Sequence, residues 1–443
     1  MKSFLFDPRT FISPPFIRCP KCDKDGFGVL MIRENSYWRR CRECFYPSPT
    51  DTPAIFSLPK LNKKVIYLDQ FAISNMMKAL YPKTKTHSKT VLDTFWLKLF
   101  ERLDSLCKLQ LIICPSSGFH TNESLLSPYF QPLKQMYDLL SHGVRFYSHD
   151  TIKRFQICEH ASNWIQGKAE KQLYLNSQSV VYGNINAWQE RLIFSFNLNY
   201  GPKEIDDLRN ARESIHGGLS DVFKRWQSEK NRTFNDWFIE ESMAFGRVSL
   251  GVYMDYLKRF VQISTGLAKL TINDIFPPPS IDLIHAIQSV FRDASINDSD
   301  IRHKTVEYLL SSSLKDVPFI KIYSMLYAAL ARKAATGRKE PPNQGMANDI
   351  AFISILLPYC DAMLIDNECH TYLKEKPLCD EISYGTLVFS HNNREDFLTY
   401  MNEIEIKASK EHIDKVTEVY GETWKKPFTT LYCDDSRLDV SNT

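Results

Sequence analysis

Apolar positions along the chain gather into a few short runs separated by long stretches of helical period. The runs at 64–68, 109–114, 144–148, 362–365 and 382–389 are too short for amphipathic helices and read as strands. Between them the period is 3.6. A helix follows Asp69 to about Leu80, and another covers 88–108 with Val91, Leu92, Phe95, Leu99, Leu103 and Leu106 on one face. Further helices are expected at 129–142, 367–374, 393–405 and 409–420. Strands alternating with helices predict an α/β fold built on a parallel five-stranded sheet flanked by helices.

From Asp150 to about Arg338 the pattern is helical nearly throughout, with the clearest segments at 150–172, 218–262, 280–293, 301–313 and 318–336. Trp164, Trp188, Trp226 and Trp237 supply core bulk there. This stretch splits the α/β pattern into two halves. The expected organisation is a small unit over 1–60, a first α/β half over 61–150, an all-helical insertion over 151–340, and a second half with C-terminal helices over 341–443.

The first 60 residues read differently. Cys19-Pro-Lys-Cys22 and Cys41-Arg-Glu-Cys44 are two Cys-x-x-Cys turns with 18 residues between them. Each turn offers two thiolates, and a connecting hairpin lets them converge tetrahedrally, the pattern of a four-cysteine zinc ribbon. A unit this short has little core of its own, so the Zn²⁺ is expected to be structural. The unit carries ten Lys/Arg against six Asp/Glu, with Arg39, Arg40 and Arg42 beside Trp38. Two uses are open: a grip on nucleic-acid backbone, or a solvated face that contacts a protein partner. Pro47, Pro49, Pro53 and Pro59 mark a linker to the first α/β half.

Composition narrows the class without naming it. The chain has 443 residues, 43% hydrophobic and 24% charged, with a net charge of +3. That charge is too small to imply a polyanionic partner by itself, so any nucleic-acid surface must be local. Cys107, Cys114, Cys158, Cys360, Cys369, Cys379 and Cys433 are scattered in mostly apolar contexts and read as buried free thiols of a reducing compartment. Asp7 and Pro8 cut short the apolar N-terminal run, and no stretch reaches the length of a membrane span. The expectation is a cytoplasmic protein with no membrane partner.

The chemistry lies in acids at strand ends. Asp69 follows the first strand, Glu123 lies in the helical segment after the second, and Asp366 follows the strand 362–365. Asp349 opens the apolar helical run Asn348–Leu356. In open α/β sheets, ligands bind beyond the carboxyl ends of the strands. Carboxylates gathered there repel unless cations neutralise them, and an all-oxygen set suits Mg²⁺ or Mn²⁺. Each acid has a plainer alternative; Asp69, for instance, is also a natural helix N-cap. His120, three residues before Glu123, is either a hydrogen-bonded helix residue or a group facing phosphate. Arg338 and Lys339 either hold substrate or complement a helix C-terminus. Asp361 enters its strand from the end opposite Asp366 and reads as a hydrogen-bonding bystander.

Val65-Ile-Tyr-Leu-Asp69, the Glu123 helix, Asn348-Asp349-Ile350 and Leu364-Ile-Asp366-Asn367 together resemble the four acidic motifs of PIN-like ribonucleases. Tyr67-Leu-Asp-Gln70, the Pro115–Glu123 segment and Leu357-Pro-Tyr-Cys-Asp361 are similar to a large-insert prokaryotic branch of that group. The resemblance covers roughly 61–150 and 340–405. It implies a metal-dependent nuclease, with RNA the more expected substrate than DNA and a toxin-like or phage-defence role. Asp69, Glu123, Asp349 and Asp366 would be the catalytic, metal-holding residues, with Asn367, His120, Arg338 and Lys339 near the substrate. Two departures stand out: the insertion is far longer than in a compact member, and the fourth motif reads Ile-Asp-Asn. A DNA nuclease of flap-endonuclease type remains open. So does a catalytically silent scaffold that binds a partner through the ribbon or the helical insertion.

Overall fold

The computed structural model describes residues 7–47, 54–81, 94–191, 200–275 and 278–432. Pro49, Pro53, the start of the expected helix 88–108 with Val91 and Leu92, and the C-terminal tail from Cys433 lie outside the described residues.

The chain opens with strands β1 (Ser13–Arg18), β2 (Asp25–Arg33), β3 (Ser36–Cys41) and β4 (Ile55–Ser57), paired antiparallel in that order. There follow β5 (Lys64–Leu68), α1 (Gln70–Leu80), α2 (Thr94–Lys108), β6 (Ile112–Ile113), α3 (Gly118–Leu125), α4 (Phe130–Ser141), β7 (Arg145–Phe146) and α5 (His149–Ile165). After β8 (Val181–Tyr182) come the long helices α6 (Pro202–Ser228) and α7 (Phe234–Ser264), then α8 (Pro279–Asp293), α9 (Asp298–Leu309) and α10 (Pro318–Ala335). The last part is α11 (Met346–Leu356), β9 (Ala362–Ile365), α12 (Asn367–Lys374), β10 (Leu387–Ser390), α13 (Arg394–Ile406) and α14 (Lys410–Tyr420).

The central sheet is parallel and four-stranded, in the order β10-β9-β5-β6. Side chains alternate across it, as the pleat requires. Val65, Tyr67, Ile113, Met363 and Ile365 face one core; Ile66, Leu68, Ile112, Ala362, Leu364 and Phe389 face the other. The second face is covered by α1, α2, α4 and α13. The first is covered by α11, α12 and the helices of the insertion, α5 to α10, whose buried residues belong to the same cluster as the strands. The insertion is therefore one layer of an α/β/α arrangement and shares its core. Gly246 marks how closely that layer packs: a Cβ there would lie 1.7 Å from the Leu309 carbonyl oxygen at the end of α9.

Three of the five expected strands are shorter than their apolar runs. Leu109–Leu111 belongs to the turn out of α2, where Gln110 takes a φ of +61°, leaving Ile112–Ile113 as strand. The segment 382–386 is turned by Gly385 at φ +80°, so pairing starts at Leu387. The run 144–148 is strand at Arg145–Phe146, where it pairs antiparallel with β8 and meets the sheet through one parallel bridge, Ser116 to Arg145. Ser148 already caps α5, which limits that strand's length. β8 is also the short exception to an all-helical insertion.

The N-terminal unit is bound into the whole. Val29, Ile32 and Tyr37 pack with Leu109, Trp188, Val416, Val419 and Tyr420 in one cluster. Arg39 is buried and donates to the carbonyls of Pro15, Phe27 and Glu418. It is an internal clasp between the ribbon and α14, which removes it from the proposed nucleic-acid grip. Arg42 lies over Phe16 and pairs with Glu43, while Trp38 remains partly exposed. The ten described cysteines form no disulfide; of those expected to be buried, Cys107, Cys114, Cys360 and Cys369 are, whereas Cys158 is half-buried and Cys379 exposed. Among the described residues no helix is long and apolar enough to cross a membrane.

Candidate active site

Parallel pairing of β5 and β9 sets Leu68 opposite Leu364, so Asp69, one residue on, and Asp366, two residues on, leave the sheet along the same edge. The Asp69 N–H still donates to the Leu364 carbonyl at 3.0 Å. Each acid then caps the helix it begins. Asp69 accepts from Gln70 N at the start of α1, and Asp366 Oδ1 accepts from the N–H groups of Glu368 and Cys369 at the start of α12. The capping alternative and the cluster alternative hold together, because one carboxylate oxygen does the capping. Asp366 Oδ2 is left buried without a hydrogen-bond partner.

Glu123 and Asp349 arrive from two helices. Ser117 caps α3 in a reciprocal box with His120, whose Nδ1 accepts from Ser117 N at 3.2 Å. His120 Nε2 donates to the Leu68 carbonyl at 2.7 Å, which assigns the proton to Nε2. The ring stacks on Tyr67 and is buried, and burial lowers its pKa to about 4. His120 thus pins α3, and with it Glu123, to the residue before Asp69. With both ring nitrogens committed to backbone it is a brace, a correction to its expected place at the substrate. Gln70 Nε2 adds a second tie to Ser124 Oγ at 2.9 Å.

The electrostatics report the four acids as neighbours. Asp69 is held well above the usual carboxylate range, first by burial and then by Glu123 and Asp366, against the opposing Gln70 N–H. Asp349 is pushed up to about 10 by burial and by the charges of Asp69, Asp366 and Glu123. Glu123 is raised by burial, opposed by the Arg212 guanidinium and the Asn348 amide. Arg212 lies in α6 of the insertion and belongs to none of the motifs; no sequence signal marked it. Asn348 adjoins Asp349 and was visible as part of that motif.

The remaining expected residues are placed less centrally. Asn367 accepts through Oδ1 from Asn392 N at 2.9 Å. Arg338 pairs with Glu368, donates to Tyr372 Oη at 2.9 Å and lies over Phe223, tying the end of the insertion to α12. An arginine already matched to a carboxylate is an internal clasp, which corrects its reading as an open phosphate contact. Lys339 is exposed, and its carbonyl accepts from Gln227 Nε2. Asp361 accepts from Val65 N at 2.8 Å and pairs with Lys64 Nζ at 2.7 Å, at the opposite sheet edge. It is the hydrogen-bonding bystander its position implied.

Cys19, Cys22, Cys41 and Cys44 form the second candidate. Their sulfurs lie within 4.8 Å of one another, with Cys19 to Cys44 and Cys22 to Cys41 each at 3.7 Å. A tetrahedron with metal–sulfur bonds of about 2.3 Å has edges of about 3.8 Å. The four can hold a structural metal such as zinc. Among the described residues this is the group that brings three or more ligand atoms that close together; no three of the carboxylates do so. No family model matches the chain, and neither does any curated protein or solved structure.

Cys41→Ser should lower the bound metal per chain and the unfolding temperature together, read by elemental mass spectrometry and a thermal melt, because a buried ligand is lost. The acid cluster has its own signature. A carboxyl raised from 3.8 to about 10 on folding binds its proton more tightly in the folded state. Its contribution is complete below about pH 4 and is lost as pH rises toward 10. The chain without added divalent cation should therefore lose stability over that window. Added Mn²⁺ should restore more of it at higher pH, and Asp349→Asn should flatten the dependence, all read as melting temperature against pH.

Proposed function

We propose that the chain is a divalent-metal-dependent phosphodiesterase, and specifically an endoribonuclease of PIN-like type. The observation that carries this reading is the convergence of Asp69, Glu123, Asp349 and Asp366 on one sheet edge, where Asp366 Oδ2 is buried without a partner and burial and mutual repulsion raise Asp69 and Asp349. Holding four acids together costs stability unless a cation or a proton occupies the site, and a purely structural edge has no use for them.

The donor set fits Mg²⁺ or Mn²⁺. All four groups are carboxylates, and Asp366 Oδ2 is a buried acceptor with no partner. Asp69, Glu123, Asp349 and Asp366 would hold the ion, which when bound supplies charge neutralisation at a phosphodiester and activation of water. The helix caps hold one oxygen of Asp69 and one of Asp366 in fixed directions, leaving the other free to face the edge. His120 fixes the position of the Glu123 helix. A carboxylate oxygen not taken by a cation can accept a hydrogen bond from the attacking water and aim it. Structural zinc in the four-cysteine cluster completes the reading, with the ribbon serving as a clamp on α14.

One observation favours a competing reading as a silent binding module: no three of the acids bring ligand atoms as close together as the cysteines do. In the nuclease reading that spacing is mutual repulsion without a counter-ion. The test is labelled single-stranded RNA and DNA with and without added Mn²⁺. RNA cleavage that needs the cation and falls at least roughly a hundredfold in Asp69→Asn, with an unchanged fold, is expected. Binding without cleavage in every condition means the silent module; cleavage of DNA alone means the flap-type alternative.

A further inference from the structure

One helix of the insertion reaches the acids. In α6, Leu219, Phe223 and Trp226 are buried in the cluster that holds Met346, Ala347 and Ile350 of α11, the helix carrying Asp349. Residues seven and eleven positions apart share a helix face, so Arg212 continues the face of Leu219 and Phe223 toward the N-terminus, about 10 Å beyond Leu219. His216 lies between them on the same face. Arg212 is half-buried, its Nε is buried without a hydrogen-bond partner, and it forms no ion pair among the described residues. His216 Nδ1 is likewise buried without a partner. The Arg212 charge is nevertheless felt by Glu123.

A guanidinium nitrogen buried without an acceptor is costly. Arg102 and Arg191 share that feature at Nε, but their terminal nitrogens are spent on Glu405 and Asn402, and on the carbonyls of Pro14 and Val419, whereas those of Arg212 bond no acceptor among the described residues. Arginine's fixed fork of donors matches a phosphate better than any other group a nuclease would meet. We propose that Arg212, with His216 one turn on, contacts a backbone phosphate and so holds a single RNA strand between α6 and the carboxylate edge. This rests on the nuclease reading above. It gives the insertion a task that a compact domain lacks, as one wall of the substrate groove.

The probe is a short labelled single-stranded RNA, bound by the full chain in an Asp349→Asn background without added divalent cation. Adding Arg212→Ala should weaken binding roughly tenfold. It should also reduce the slope of log affinity against log salt by about 0.7, the value for one phosphate contact to a single strand. Arg212→Lys should keep the slope. With the carboxylates intact, Arg212→Ala should raise KM more than it lowers kcat. Unchanged affinity and slope, with melting temperature preserved, overturn the contact while leaving the nuclease reading in place. Tighter Mn²⁺ binding in Arg212→Ala with RNA affinity unchanged also overturns it, since the arginine is then a counter-ion to Glu123. RNA binding that depends on Arg212 in a chain that never cleaves keeps the phosphate contact and removes the nuclease reading. Neither binding nor cleavage removes both.

Discussion

The structure depends on like charges being held together where two parallel strands end. β5 and β9 are adjacent and in register, so Asp69 and Asp366 cannot avoid each other. α3 and α11 then bring Glu123 and Asp349 to the same edge, and the neighbouring charges raise the proton affinity of Asp69 and Asp349. Repulsion of this kind is tolerated where the surrounding scaffold over-determines the geometry. Here the scaffold is explicit: two helix caps, the His120 brace to the Leu68 carbonyl, and the Gln70 tie to Ser124.

The other parts can be understood as support for that edge. The insertion supplies, with α11 and α12, one of the two helical layers on the sheet, so removing it would strip much of the cover from the face formed by Val65, Tyr67, Met363 and Ile365. The ribbon, through Arg39 and Tyr37, fastens α14, whose Val416, Val419 and Tyr420 share a cluster with Leu109 at the foot of β6. The insertion thus acts on the core over one sheet face, and the ribbon on a separate cluster beside β6.

Much of this was legible from local pattern. The two strands that carry Asp69 and Asp366 are short, continuous apolar runs, and their bounds were readable as 64–68 and 362–365. The cysteine spacing announced the cluster. Where the reading fell short, the cause was turn chemistry or distant packing. Gln110 and Gly385 take positive φ and shorten two strands, which apolar content does not reveal. Arg39 looked like a surface cation and is a buried clasp, because its partners, Pro15 and Glu418, are remote in sequence. Arg212 sits in a 27-residue helix among other charged residues, and nothing nearby in the chain marks its proximity to Glu123.

The central claim is that these four carboxylates form one divalent-cation site. Calorimetric titration of Mn²⁺ into the full chain, repeated in buffers of different ionisation enthalpy, measures both the binding and the protons it displaces. Because burial and its neighbours' charges push the Asp349 carboxyl up to about 10, binding near neutral pH should release about one proton, and both binding and release should vanish in Asp349→Asn. Mn²⁺ binding that is absent, or that persists in Asp349→Asn with no proton release, would contradict the account.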